Sequence, residues 1–192
     1  MINGRPEIIV DLDNTVYDWI ATVAGYLHYQ GVDVDIADYQ SWEVWEDWDI
    51  PKGQFDRLWR MGIEDDVIYR QGPIIEGARD ALWQLSDMEF HITLATNRLS
   101  KFGLYSKIID NTVDWLREAA IPYRGLLFTG NKGIMGASFG LDDSPEYVRQ
   151  MQEAGIAAYL FDAPHNQGDT DLGRITEWST FVEQVEGMTD HG

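Results

Sequence analysis

Seven residues of this 192-residue chain have types and spacing suited to chemistry: Asp11 and Asp13, Thr96 and Asn97, Lys132, and the adjacent pair Asp142 and Asp143. Each set closely follows a short apolar run, as the end of a buried strand would. Residues i and i+2 leaving a strand point the same way, so Asp11 and Asp13 can address one substrate. An isolated Asp-x-Asp reads equally well as a turn or cap. Four comparable strand ends in one chain read as a site, because ligands of open parallel sheets bind outside the carboxyl ends of the strands. Acids, a hydroxyl and a lysine gathered there suit phosphoryl transfer through a carboxylate. One carboxylate attacks phosphorus and a metal bridges it to the phosphate oxygens. A second carboxyl protonates the leaving group, while Thr and Lys hold the phosphate.

The elements that must position these groups alternate along the chain. Strands are predicted at Glu7–Val10, Phe90–Ala95, Gly125–Phe128, Ala137–Leu141 and Ala157–Phe161, from apolar runs that end in polar loops. Helices are predicted from Val16 to about Tyr29, over Gln54–Met61, Ile75–Leu85 and Tyr105–Ala119, and near Ile175–Val185. Ser144 caps a further helix, with Pro145 at its first position, Glu146 in its first turn and Gly155 ending it. The pattern predicts an α/β fold with a doubly wound parallel sheet. Its domains are a core over 1–16 and 74–192 and a small helical cap over 17–73, inserted after the first strand. The last residues, 187–192, are expected to fray.

Composition narrows the function classes. Thirty-three acidic against fourteen basic residues give a net charge of −19, a surface that repels nucleic acid polymers and anionic membranes. No apolar run approaches the ~20 residues needed to span a bilayer, and the N-terminal stretch is no secretory signal. The chain has no cysteine, which excludes disulfides, thiolate catalysis and Cys-ligated metal sites. No GxxxxGK[ST] loop is present, so a P-loop NTPase is not supported. A cytoplasmic protein with a small phosphorylated substrate is expected, and a homodimer is left open.

Several residues have a structural reading beside the functional one. Lys101 and Lys107 rival Lys132, which is preferred because it follows a separate strand end. The helical i, i+3 spacing of Trp42, Trp45 and Trp48 predicts a small core within the cap, with contact to substrate as the alternative. Trp19 reads as either core or base platform, Tyr69 is a weaker candidate of the same kind, and His165, in a loop, reads as surface.

The motifs resemble the haloacid dehalogenase superfamily. Asp11-Leu12-Asp13-Asn14-Thr15 resembles its first motif, Thr96 its second, Lys132 its third and Asp142-Asp143 its fourth. Asp13 is the acid/base residue that the superfamily's phosphatases carry and its dehalogenases lack. A closer resemblance is to the 5′(3′)-deoxyribonucleotidases. It rests on the spacing from Lys132 to Asp142 and Asp143, on Asp18-Trp19, and on the segment Leu160-Phe161-Asp162-Ala163-Pro164-His165-Asn166-Gln167. The departure is Thr96-Asn97-Arg98, where that family typically has Thr-Ser-Pro.

The resemblance implies a phosphomonoesterase acting on nucleoside monophosphates through an aspartyl-phosphate. Asp11 would be the nucleophile, Asp13 the acid and later the base, and Lys132 the neutralising cation. Thr96 and Asn97 would meet the phosphate, with Trp19 and Tyr69 near the base. Mg²⁺ would be held by Asp11, the Asp13 backbone carbonyl and Asp143, with Asp142 behind, the two adjacent acids being interchangeable at this stage. The alternatives are a related phosphatase for another small phosphomonoester and a nucleotide-binding protein with little turnover.

Overall fold

The apolar run Glu7–Val10 forms β1, buried along its whole length, and becomes an interior strand of a parallel sheet. The computed structural model describes residues 5–100 and 102–189, so Lys101 and the end of the segment expected to fray lie outside the described residues. The other strands are β2 (His91–Thr96), β3 (Gly125–Phe128), β4 (Phe139–Asp142), β5 (Ala157–Phe161) and β6 (Arg174–Ile175). Their order across the sheet is β3-β2-β1-β4-β5-β6, with every pairing parallel. Side chains alternate across it, as strand geometry requires. Ile8 and Val10 join one apolar cluster with Leu82 and Trp178, and Ile9 joins another with Val148 and Met151. The doubly wound α/β core is therefore as the sequence predicts.

Helices α1 (Trp19–Tyr29), α2 (Val44–Asp47) and α3 (Lys52–Glu64) lie in the insertion between β1 and β2. They are followed by α4 (Ala78–Asp87), α5 (Tyr105–Glu118), α6 (Pro145–Glu153) and α7 (Trp178–Thr189). α1 starts later than its apolar spacing suggests because the preceding residues are used in a stem. Tyr17 bridges both Asp13 and Ile74, and Asp18 donates its N–H to the Pro73 carbonyl. The Asp18 carboxylate then caps the helix by accepting from the Ala21 N–H at 2.8 Å. β6 lies where the sequence reads as loop and helix start. Arg174 and Ile175 pair with Leu160 and Phe161, which delays α7 to Trp178. Ser144 holds the N-cap position of α6 but makes no side-chain cap bond; its backbone N–H is taken by Asp142 Oδ1 at 2.9 Å.

The chain leaves β1 toward β2 on one side and returns to the other side of β1 as β4. That reversal of strand order opens a crevice at the carboxyl ends of β1 and β4. Register does the rest. Val10 pairs with Leu141, and the Asp11 N–H donates to the Leu141 carbonyl at 2.9 Å, so Asp11 and Asp142 emerge side by side.

Candidate active site

Asp11, Asp142 and Asp143 each place a carboxylate oxygen within 4.8 Å of the others. All three are buried, and so is Lys132, which enters from the turn after β3. Its Nζ donates to Asp11 Oδ1, and to Asp142 Oδ2 at 2.5 Å. Gly133 lets this turn press onto α6, since a Cβ there would meet the Gln150 carbonyl oxygen at 2.7 Å. Burial pushes the Asp11 carboxyl up to about 7, against the pull of Lys132. Burial likewise raises Asp142, and it raises Asp143 well above the carboxylate range with the help of Asp11 and Asp142. Burial opposes the Lys132 charge, yet Asp11 and Asp142 hold the ammonium above the usual lysine range.

Asp13 sits beside this cluster, more open, and is met by a residue the sequence reading passed over. Arg98 gives its Nε to Asp13 Oδ2 at 3.0 Å and an Nη to Oδ1 at 2.9 Å. Its other Nη donates to Thr112 Oγ1 at 3.0 Å. The guanidinium is fully buried between the rings of Tyr17 and Tyr69, with centroids at 4.7 and 4.5 Å. Arginine is suited to such a place, combining a rigid fork with a stacking plane. A signal existed: Thr-x-Arg repeats at the end of β2 the i, i+2 spacing of Asp-x-Asp at the end of β1. Thr96 itself is fully buried and donates to Asp13 Oδ2 at 3.4 Å.

A cavity of about 580 Å³ opens over these groups. Its lining includes the polar groups of Asp11, Asp13, Asn97, Arg98, Asp142 and Asp143, and the aromatic rings of Trp19, Trp45, Phe55, Trp59 and Phe102. Trp19 meets Trp59 edge-on at 5.2 Å and Phe55 at 6.5 Å, so it is both packed and facing the cavity. Tyr69 lines the cavity as well, its ring lying on Arg98. Asn97 donates its amide to the Tyr147 hydroxyl at 2.7 Å. The Trp42–Trp48 series does not share one face: Trp48 is buried, Trp45 intermediate and Trp42 about half exposed. Lys107 pairs with Asp66 at 2.6 Å, away from the carboxylates. His165, read as surface, has a fully buried side chain, and burial lowers its pKa to about 4, against the pull of the Asp143 backbone.

The donor set fits a hard divalent cation. Three carboxylates converge, which like-charge repulsion alone would oppose, and Asp143 Oδ2 is buried without a hydrogen-bond partner. Lys132 takes one oxygen each of Asp11 and Asp142, and Ser144 the other oxygen of Asp142. Asp142 is thus bound up within the protein, whereas Asp143 Oδ2 accepts no hydrogen bond, with His165 Nε2 lying 3.3 Å away.

Comparison with known proteins gives the family of the chain. Residues 5–188 match the family described as 5′ nucleotidase, deoxy (pyrimidine), cytosolic type C. A Chlorobaculum tepidum protein provisionally assigned as a 5′(3′)-deoxyribonucleotidase is 30% identical over 93% of this chain and 89% of its own. The 5′(3′)-deoxyribonucleotidase of Bacillus subtilis is 24% identical over 95% of this chain and 97% of its own. In fold, a haloacid dehalogenase-like hydrolase of Streptococcus pneumoniae superposes with a TM-score of 0.62 at 15% identity, covering 94% of this chain and 98% of that one. Among the described residues no helix is long and apolar enough to cross a membrane. The chain has a haloacid dehalogenase-like fold and is a phosphatase that belongs to the 5′ nucleotidase, deoxy (pyrimidine), cytosolic type C family.

Proposed function

We propose that the chain hydrolyses nucleoside monophosphates, deoxyribonucleotides among them, through a phosphorylated Asp11, with the insertion over 17–73 serving as its cap. One observation carries the reading: a lysine-neutralised carboxylate cluster and a set of aromatic rings line the same cavity. A carboxylate cluster suits phosphorus chemistry, and aromatic rings suit a planar base.

In this reading an Asp11 oxygen attacks phosphorus as the bond from phosphorus to the leaving oxygen breaks. Asp13 gives that oxygen its proton. The resulting Asp13 carboxylate then takes a proton from water, whose oxygen displaces Asp11 from phosphorus and frees phosphate. Arg98 fixes the direction of the Asp13 side chain through both transfers. Asn97, lining the cavity, meets the phosphate, and Thr96 lies behind it. Lys132 offsets charge on Asp11 and Asp142. Asp11, Asp143 and the backbone carbonyl of Asp13 would hold Mg²⁺, with Asp142 behind them, and the ion would supply positive charge for the phosphate oxygens.

Phosphate release from a panel of ribo- and deoxyribonucleoside monophosphates, sugar phosphates and an aryl phosphate, with and without Mg²⁺, tests this. The expected result is Mg²⁺-dependent release with the highest kcat/KM on nucleotides. Higher kcat/KM on sugar phosphates would assign the cavity to another phosphomonoester, and no release from any would leave only binding.

A further inference from the structure

His165 touches both the carboxylate cluster and the insertion. Its Nε2 lies 3.2 Å from the backbone carbonyl oxygen of Asp143 and 3.3 Å from Oδ2 of the same residue. Its Nδ1 is hydrogen-bonded to the hydroxyl of Tyr39, and its ring lies 3.9 Å from that of Trp42, both residues of the insertion. A neutral imidazole has one donor and one acceptor. A carbonyl can only accept, so Nε2 carries the proton and Nδ1 accepts from Tyr39. Both nitrogens are used.

The segment around His165 is itself braced. Asn166 donates its amide to the same Asp143 carbonyl at 2.8 Å and to the Phe161 carbonyl at 2.8 Å. Its side-chain Oδ1 accepts from Arg174 at 2.7 Å. The Asp143 backbone is thus held by a rigid cradle, one arm of which reaches the insertion.

The insertion is anchored differently at its other edge. There Asn111 donates to the carbonyls of Ile63 and Ile68, Trp115 to that of Gly72 at 2.8 Å, and Arg70 pairs with Glu118 at 2.5 Å. That edge is tied to α5 next to the stem, whereas the Tyr39–Trp42 edge rests on His165.

We propose that His165 is a positioning residue that couples the seating of the insertion to the metal-binding geometry of Asp143. With Tyr39 and Trp42 seated, the imidazole braces Asp143 and the cation is held tightly. With them lifted, the brace loosens and the cation is held less tightly. Coupling of this kind is reciprocal, so whatever closes the insertion strengthens cation binding and the reverse. This rests on the metal site of the proposed function but not on its substrate.

Mn²⁺ binding, followed by the paramagnetic signal of the free ion in the absence of substrate, tests the coupling. His165→Ala is expected to weaken Mn²⁺ binding by about 10–100-fold, as loss of partners behind a metal ligand does. His165→Gln, which keeps a donor toward Asp143, should regain part of that. Trp42→Ala and Tyr39→Phe should weaken binding in the same direction, and Trp42→Ala should add nothing in the His165→Ala background. Because Trp42 is half exposed and Tyr39→Phe removes only a hydroxyl, these two carry the test if His165→Ala does not fold. Unchanged Mn²⁺ affinity in both insertion variants, or additive losses in the double variant, would overturn the coupling. A wild-type protein that binds no Mn²⁺ would overturn the metal site and the coupling with it, whatever its phosphatase activity.

Discussion

The two walls of the cavity are built by different means. On the core wall, backbone register sets the geometry: Asp11 and Asp142 are neighbours because Val10 pairs with Leu141. Their oxygens are joined through Lys132. On the insertion wall no strand sets a register, and Trp19, Phe55 and Trp59 meet one another edge-on or tilted at 5.2–6.5 Å. The difference teaches where tolerance lies. A change to the core wall should damage the reaction for every substrate, and a change to the insertion wall should damage it for some.

Asp11→Asn breaks the comparison at its strongest point. An amide is a poor nucleophile for phosphorus, so turnover should vanish on all substrates while circular dichroism and melting report a folded chain. More than a few per cent of the wild-type rate in a Mg²⁺-replete assay would remove Asp11 from its role. Asp13→Asn comes next, with a loss of ~10²–10⁴-fold. That loss should be smaller for an aryl phosphate, whose leaving group needs less protonation. Equal losses on aryl and alkyl esters would assign Asp13 another part.

Trp19→Ala tests the other wall. Base–aromatic stacking is worth ~1–3 kcal/mol, or roughly 5–150-fold in kcat/KM for nucleoside monophosphates. A small sugar phosphate should be much less affected. If both fall together, Trp19 is packing only, and the contrast between the walls narrows.

The smallest expected effect is on stability. An ordinary carboxyl titrates near 4, whereas burial pushes Asp11 up to about 7 and raises Asp142 and Asp143 in the same direction. A raised carboxyl binds more protons folded than unfolded, so it destabilises the metal-free fold increasingly as pH rises from about 4 to 7. A cation needs these groups ionised and relieves the penalty. The melting-temperature gain from Mg²⁺ should therefore grow from pH 5 to pH 8. The stabilisation behind that gain should reach about 2.7 kcal/mol at an ion concentration of 100 times Kd. A gain that is flat or falls with pH would place the ion elsewhere.

The legible parts of the sequence are those that chain-local physics decides. β1, β3 and β5 are short runs dominated by apolar residues, and their positions follow from that. The strand-end residues Asp11, Asp13, Asn97, Asp142 and Asp143 are readable because a parallel sheet puts such ends on one edge, and all five line the cavity. What was missed depends on contacts distant in sequence. β6 has two residues, too few to show a period, and exists by pairing with β5. Arg98 is defined by Tyr17, Tyr69 and Asp13, none of them its neighbour in sequence. His165 is covered by Tyr39 and Trp42 from the insertion, and no property of its own loop announces that. The tryptophan series was legible in part: Trp48 and Trp45 pack into the core, and Trp42 does not, because α2 spans only Val44–Asp47 and is too short to impose one helical face on all three.

The interior place of β1 has a consequence for how the protein is made. Its partner on one side is β2 and on the other β4, so Ile8 waits for Phe139. A nascent chain therefore presents Asp11 and Asp13 long before Lys132, Asp142 and Asp143 have been synthesised. Burying Asp11 without its lysine would leave an unpaired charge in an apolar setting, which is costly. Closing the long loop to β4 is likewise unfavourable until its contacts form. The emerging N-terminal half thus cannot complete a reactive centre, and competence for chemistry arrives only with the C-terminal part of the sheet, late in translation.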